Sequence, residues 1–249
     1  DSAFAPVYLD TLKAASFPAG SDCALNIDCS TWKSLSFSAV VEWNHPNDET
    51  NFVMRTHVER DGLGVIQRAY ELMVTHDGLC TLSRYWGGAK TALGSTQLTF
   101  SPVVLASVPD GTPSDRDVTH RGDRGRLVCE IQISWKDCNT QNIVALVNSE
   151  EVAVAEFDTY GIPTFALGHG GVGDGSTTGK MNIAVTGPAG QSLIVDNVLA
   201  YRATSQNRLE VSAGGDTYWD GPATCLESYR VTKDTNDKGP EMTEMEVPF

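Results

Sequence analysis

The stretch that decides the fold is Leu35-Ser36-Phe37-Ser38-Ala39-Val40-Val41-Glu42-Trp43, where apolar residues recur at every second position. The odd-numbered side chains would share one face, and Ser36, Ser38 and Glu42 would take the other. A second stretch, Leu127 to Trp135, repeats the pattern. A period of two residues predicts strands with one buried face. We therefore expect Trp43 and Trp135 to lie in the core.

Strand patterns continue along most of the chain, whereas only residues 7–15 resemble a short helix and residues 18–30 resemble a loop. Asp77-Gly78 and Ser149-Glu150 each predict the turn of a hairpin. The remaining strands are predicted over 52–59, 69–75, 79–86, 97–108, 143–148, 152–157, 164–167, 181–186 and 193–202, with weaker candidates at 211–217 and 228–232. Many short strands with almost no helix predict an all-β sandwich or barrel.

The domain organisation follows from the absence of any shift in composition along the chain. We expect a single β-sandwich domain over residues 1–232, with residues 1–34 as an N-terminal extension that packs on it. Residues 233–249 are expected to form an acidic, flexible tail. If the protein is a structural subunit of an extracellular assembly, we expect it to self-associate through the end of this C-terminal tail, residues 241–249.

The net charge of −14 narrows the range of partners. A strongly acidic surface repels phosphate backbones and anionic lipids, so we expect no nucleic acid partner. No apolar run approaches the roughly 18 residues that a membrane helix needs, so no membrane insertion is expected. A neutral or cationic partner, or a divalent cation, fits the charge better.

The six cysteines predict an oxidising compartment. Their even number and the lack of any C-x-x-C pair favour disulfides over a zinc or redox site, although the pairing stays open. Cys23 and Cys29 are close enough in sequence to close a short loop. Because the chain begins without a secretory leader, we expect the mature form of a secreted, extracellular protein.

The order of several segments resembles the concanavalin A-like lectin/glucanase superfamily, which includes laminin-G-like domains. The similarity is carried by residues 70–78, 144–154, 165–168 and 195–202, the last reading Val-Asp-Asn-Val-Leu-Ala-Tyr-Arg. It covers roughly residues 35–202 and implies an antiparallel β-sandwich of the jelly-roll type. Because members of this superfamily include lectins, adhesion modules, glycosidases and polysaccharide lyases, the activity must be argued from the site.

A retaining glycosidase needs two carboxylates about 5 Å apart. The glucanases of this superfamily usually carry them in an E-x-D-x-x-E strand, which this sequence lacks. Glu71, Glu130 and Glu156 stand alone on predicted strands, and we interpret them as solvated residues.

A weaker resemblance links two short segments to the jelly-roll alginate lyases. Arg55-Thr56-His57-Val58 is similar to their R-(S/T)-E-L motif, and Gln132-Ile133-Ser134 is similar to Q-(I/V)-H, with His57 and Ser134 as departures. The resemblance implies β-elimination on a uronate-containing polymer, in which Arg55, His57 and Gln132 act with Tyr85 or Tyr201. Two-residue spacing predicts that Arg55 and His57 share one face. The tyrosine-bearing Y-x-K-x-G-x-Y-x-Q strand of these lyases is absent.

A carbohydrate-binding or adhesion module without catalysis needs fewer features. Aromatic rings stack on sugar rings, and polar side chains hydrogen-bond to the hydroxyls of a polysaccharide or glycan. The candidates near strand ends and loops are Trp86, Arg84, Tyr160 and Trp219.

Calcium is the one cofactor that the superfamily resemblance implies. Oxygen ligands could come from Asp174, in the glycine-rich stretch 168–179, and from Asp196 and Asn197. The same residue types also form ordinary turns, so both interpretations stay open.

Overall fold

The computed structural model describes residues 7–9, 14–29, 34–43, 45–106, 126–135, 140–158, 179–202, 208–213 and 216–222. Within these residues the chain forms strands and a single short helix. The strands are β1 (Val7–Leu9), β2 (Ala14–Pro18), β3 (Asp22–Asp28), β4 (Leu35–Trp43), β5 (Asn51–Arg60), β6 (Ile66–Val74), β7 (Leu79–Trp86), β8 (Ala89–Gln97), β9 (Leu127–Trp135), β10 (Thr140–Val147), β11 (Glu150–Asp158), β12 (Lys180–Thr186), β13 (Ser192–Arg202), β14 (Arg208–Ala213) and β15 (Asp216–Pro222). The helix, α1, spans Pro102–Ala106.

Two antiparallel sheets build the sandwich. The first sheet has seven strands in the order β1-β2-β13-β4-β9-β10-β11, and the second has six in the order β3-β12-β5-β6-β7-β8. The described strands β14 and β15 pair with each other as a separate two-stranded sheet. The prediction of an all-β, antiparallel β-sandwich of the jelly-roll type is confirmed.

The core lies between the two sheets and consists of the alternating apolar positions. Phe37, Trp43 and Ile131 from the first sheet are fully buried, as are Phe52 and Leu82 from the second. The indole nitrogen of Trp43 also donates a hydrogen bond to the carbonyl of Thr50 at 2.8 Å. The predicted core position of Trp43 is therefore confirmed, whereas the side chain of Trp135 lies outside the described part of the structure.

The N-terminal region differs from its prediction. The described residues within 7–15 lie in strands rather than in a helix, because β1 and β2 pair with each other and β2 pairs with β13. The predicted loop over 18–30 contains β3, which pairs with β12 at the edge of the second sheet. Backbone hydrogen bonds to strands distant in sequence override the weak local preference of these residues.

The predicted link between Cys23 and Cys29 is wrong. Neither of them forms a disulfide, and among the described residues Cys80 and Cys129 form none either. The chain from Cys23 runs along β3 to its end at Asp28, directly before Cys29, and an extended chain rises roughly 3.3 Å per residue, so the two cysteines are separated by about 20 Å. A disulfide needs Cα atoms within about 7 Å.

Two further strand predictions are also corrected. The predicted strand over residues 97–108 does not form in its described part, residues 97–106, because β8 ends at Gln97 and α1 begins at Pro102. Residues 211–217 span the end of β14 and the start of β15 rather than one strand. The predicted segments 164–167 and 228–232 lie outside the described residues.

No helix in the described part of the chain is long and apolar enough to cross a membrane.

The predicted hairpin at Asp77-Gly78 joins β6 to β7, whose register pairs Val74 with Cys80. Gly78 has φ of 92°, and a Cβ atom there would lie 2.6 Å from the carbonyl oxygen of Phe100. Gly190 has nearly the same φ, 88°, but a Cβ atom at that position would meet no other atom within 4 Å. A substitution at Gly190 therefore tests backbone strain alone, whereas a substitution at Gly78 adds steric crowding to the same strain.

We predict that Gly190→Ala lowers the free energy of unfolding by about 1 kcal/mol, the cost of a left-handed backbone for a residue with a Cβ. Gly78→Ala should cost about 3 kcal/mol, since overpacking adds to the same strain. Urea unfolding of the two variants beside the wild type measures both values. Equal losses would show that the contact with Phe100 is unimportant.

Candidate functional site

A line of polar residues crosses the second sheet on the face that points away from the core. Asn182 of β12 pairs with Arg55 of β5, Arg55 pairs with Glu71 of β6, and Glu71 pairs with Ser83 of β7. Residues directly opposite each other in an antiparallel sheet project from the same face. Because Phe52 and Met54 belong to the core, Arg55 and its cross-strand partners must face outward.

Glu71 is the centre of this arrangement. Its carboxylate accepts hydrogen bonds from Arg55 Nε at 2.6 Å and from the Tyr85 hydroxyl at 3.3 Å. Lys90 Nζ lies 2.5 Å from the other carboxylate oxygen. The side chain of Glu71 is only 2% exposed, so these three donors replace the water that would otherwise solvate its charge.

The carboxylate of Asp22 is the second negative charge in this arrangement. Arg60 Nη2 lies 2.8 Å from both of its carboxylate oxygens, and the amide nitrogen of Asn182 donates to it at 2.7 Å. Arg55 links the two carboxylates, because its Nη1 donates to Asn182 Oδ1 at 2.8 Å and lies 3.7 Å from Asp22. We call Asp22, Arg55, Arg60, Glu71, Ser83, Tyr85, Lys90 and Asn182 the polar cluster.

Two titratable groups of the polar cluster have shifted pKa values. Partial burial raises the pKa of Asp22, but the hydrogen bonds from Asn182 and Arg60 and the nearby guanidinium charges outweigh it, so the net pKa is lowered. The pKa of Tyr85 is raised, first by burial and then by the negative charge of Glu71. Tyr85 is therefore a poor proton acceptor near neutral pH.

Trp86 lies at the end of β7, directly before the Gly87-Gly88 turn, and is half exposed. The guanidinium carbon of Arg68 lies 4.7 Å from the indole centroid, and that of Arg84 lies 5.5 Å from it. Arg68 is the cross-strand partner of Trp86. Arg84 also hydrogen-bonds to Tyr70, whose pKa is raised by burial despite that bond. We call Arg68, Arg84 and Trp86 the Trp86 cluster.

The structure brings together only part of the predicted catalytic set. Arg55 and Tyr85 meet at Glu71, but the prediction that His57 shares a face with Arg55 is wrong. His57 has φ of 53°, and the register between β5 and β6 shifts directly after Thr56. This bulge interrupts the alternation, and the imidazole packs edge-on against the Tyr70 ring, 6.5 Å away, on the core side.

Gln132 lies on the other sheet, far from Arg55 in the strand order. Its neighbours Ile131 and Ile133 point into the core, so Gln132 faces outward from β9 and donates to Glu130 at 2.9 Å. Tyr201, the alternative catalytic tyrosine, shares that face, since both it and Gln132 pair with Ser36. The outward-facing lyase candidates are thus divided between opposite sheets, with Arg55 and Tyr85 on one and Gln132 and Tyr201 on the other.

The structure describes only some of the remaining predicted metal-ligating and sugar-binding residues. Asp196 and Asn197 lie at a bulge of β13, where Asn197 has φ of 46° and its backbone N–H donates to Asp196 at 2.7 Å. Trp219 lies on β15, and its side chain lies outside the described part of the structure. Tyr160 and Asp174 lie outside the described residues. In the described part, no three His, Cys, Asp or Glu side chains form a group that could hold a metal ion.

Sequence reasoning misses several residues of the site. The interpretation of Glu71 as a solvated residue is wrong, because its side chain is buried. Asp22, Asn182 and Lys90 carry no recognisable motif, because they come from three strands that meet Glu71 or Arg55 only through the sheet order. The spacing of Arg84 and Trp86, two residues apart on one strand, is the only local signal for their contact.

No family model matches the chain, and no curated protein matches it in sequence. Among solved structures, the chain is similar to the GH43 protein BlXynB from Bacillus licheniformis, with 8% identity, 80% of this chain and 35% of that chain covered, and a TM-score of 0.47. It is also similar to the carbohydrate recognition domain of Emp46p in its potassium-bound form, with 7% identity, coverage of 77% and 80%, and a TM-score of 0.46. A third similar structure is sheep galectin-11 in complex with glycerol, with 9% identity, coverage of 73% and 95%, and a TM-score of 0.35. The chain spans about a third of the GH43 protein's length.

We predict that Glu71→Gln lowers the free energy of unfolding by about 3 kcal/mol, because it leaves the buried Arg55 without its closest counter-charge. The matched variant Asp22→Asn should cost less than about 1 kcal/mol, since an exposed ion pair contributes little. The side chain of Asp22 is 42% exposed, against 2% for Glu71. Chemical denaturation measures both losses, and an equal cost for the two variants would contradict a central role for Glu71.

Proposed function

We propose that this chain is an extracellular carbohydrate-binding module that holds a glycan at the end of the β7–β8 hairpin. The observation that carries the proposal is Trp86, a half-exposed indole in contact with two guanidinium groups. An indole offers a flat apolar surface on which the C–H face of a sugar ring can stack. Arg68 and Arg84 restrain the ring, which reduces the entropy lost when a ligand binds.

Polar groups for sugar hydroxyls lie on the opposite face of the same hairpin. Tyr85 is adjacent to Trp86 in sequence and projects from the opposite face of β7, into the polar cluster. Lys90, on β8 across the turn, is 39% exposed and lies 5.8 Å from the Tyr85 ring. The hairpin end therefore offers an aromatic surface on one face and hydrogen-bond donors on the other.

The chemistry of the polar cluster favours binding over β-elimination. A lyase needs a base with a suitably low pKa and a cation directed at the uronate carboxylate. Here the pKa of Tyr85 is raised, and the guanidinium of Arg55 is held by Glu71 and Asn182 with its side chain only 9% exposed. Glu71 binds three donors, so it is occupied as a structural counter-charge.

The proposal has three further parts. They are an extracellular location, a calcium ion bound at Asp196 and Asn197, and self-association through residues 241–249. The acidic net charge and the oxygen-bearing side chains at the β13 bulge support a calcium ion. A glycan array probed with and without calcium tests this part separately from sugar binding.

We predict that Trp86→Ala weakens binding to any glycan that the array identifies by about 30-fold, the effect of losing a central aromatic contact worth roughly 2 kcal/mol. The matched control is Tyr201→Ala, because Tyr201 is similarly exposed, at 55%, but lies on the other sheet. Titration calorimetry with the best array ligand measures both variants. A similar loss in both, or none in Trp86→Ala, would place the ligand elsewhere.

We also predict that the protein does not cleave uronate polymers. Incubation with alginate and glucuronan should give no rise in the ultraviolet absorbance of the unsaturated product. A rise that disappears in Tyr85→Phe would instead assign lyase activity to the polar cluster.

A further inference from the structure

Lys90 covers part of the polar cluster. Its backbone pairs with Tyr85 on β7, whereas its ammonium contacts Glu71 on β6, the strand beyond. Alternate strands are separated by about 10 Å, so the side chain must cross β7 to reach Glu71. Because Glu71 pairs with Ser83, the crossing point lies between Ser83 and Tyr85.

Ser83 lies beneath this crossing with an unused hydroxyl. The residue is 1% exposed, and its Oγ has no hydrogen-bond partner among the described residues. A buried hydroxyl without a partner costs free energy, so native structures rarely retain one without a reason. Ser83 projects toward the same face as Glu71 and Tyr85, where a ligand hydroxyl would satisfy it.

The polar cluster also carries an excess of positive charge. It contains three cations, Arg55, Arg60 and Lys90, against the two carboxylates of Asp22 and Glu71. Arg55 and Arg60 are oriented by Asp22 and Glu71, and Lys90 is the cation most exposed to solvent. An ammonium has three donors, so Lys90 can bind an additional anion.

We infer that the polar cluster selects glycans in which an anionic group, a carboxylate or a sulfate, neighbours a free hydroxyl. The anionic group binds the Lys90 ammonium, which turns outward from Glu71. The neighbouring hydroxyl then donates to Glu71 and accepts a hydrogen bond from Ser83. Glu71 keeps Arg55 and Tyr85 as donors throughout. This inference rests on the proposed glycan-binding function and names the class of glycan.

The experiment compares acidic oligosaccharides with their neutral counterparts by titration calorimetry at low ionic strength. The probes are an oligogalacturonate with its carboxyl-reduced form, and a sulfated galactan oligosaccharide with its desulfated form. We expect at least one acidic member to bind about tenfold more tightly than its neutral counterpart, or roughly 1.4 kcal/mol. The two pairs distinguish a carboxylate from a sulfate as the preferred group.

Lys90→Met should reduce this preference to less than about twofold, whereas Lys90→Arg should retain it, since the charge is kept. Lys180→Met is the charge-matched control, because Lys180 lies on β12, four strands away from β8 in the sheet order, and the substitution removes the same charge. Ser83→Ala should weaken binding of the acidic member about fivefold, the value of one hydrogen bond of about 1 kcal/mol. Thermal unfolding of each variant shows whether it remains folded, and the conservative Ser83→Ala keeps the test decisive if Lys90→Met unfolds.

The outcomes separate the inference from the proposed function. Equal binding of acidic and neutral members, with loss in Trp86→Ala, would overturn the inference and leave the glycan-binding function standing. A preference that survives Lys90→Met but disappears in Lys180→Met would also overturn it. An unchanged affinity in Ser83→Ala would mean that Ser83 holds only a buried water, which contradicts the proposed contact. Failure of every probe and of the whole array to bind would overturn both.

Discussion

A carboxylate that is buried away from water needs donors around it, and Glu71 satisfies this requirement with groups from three strands. Arg55 of β5, Tyr85 of β7 and Lys90 of β8 all contact it, and its side chain is almost completely buried. Replacing hydration in this way fixes the positions of Arg55 and Tyr85, because moving either would leave charge unsatisfied at high cost. Lys90, which is 39% exposed, can leave Glu71 only when another donor takes its place. The outer face of the second sheet is therefore held rigid by one anion.

That rigidity extends to the hairpin end where Trp86 lies. Tyr85 is held by Glu71 on one face of β7, while Trp86 is contacted by Arg68 and Arg84 on the other. Adjacent residues of a strand project to opposite faces, so the same short segment is restrained from both sides. A restrained surface loses little freedom when it binds a ligand, and this condition favours recognition of weakly binding partners such as sugars.

The sequence predicts the strands with clear alternation and fails where a strand depends on distant pairing. Residues 35–43 and 127–135 have a clear period of two residues, and both form strands as predicted. The first is buried on both faces rather than one, because Ser36 and Glu42 are also almost completely buried. The pattern misses β8 because residues 89–97 are small, polar and mostly exposed at the sheet edge, so no apolar period marks them. It misses β2 and β3 for a related reason, since their pairing with β13 and β12 joins segments that are distant in sequence.

The site is also predictable only in part, because contacts between strands that are distant in sequence leave no local signal. Trp86 and Arg84 share a local spacing, so their contact can be anticipated, whereas the burial of Glu71 depends on Arg55 and Lys90 arriving from other strands. At His57, one bulge is enough to reverse the predicted direction of the side chain.

The two motif-like segments show how a β-sandwich separates residues that a linear comparison joins. Arg55 and Gln132 both point away from the core, and in a single sheet that would be enough to place them on one surface. A sandwich has two outer faces, however, and the strand order assigns β5 to one sheet and β9 to the other. The full thickness of the core lies between them, about 10 Å from sheet to sheet before side chains are counted. Alternation predicts whether a residue faces outward, but only the strand order determines which outward surface it joins, and the chemistry of this protein depends on that second property.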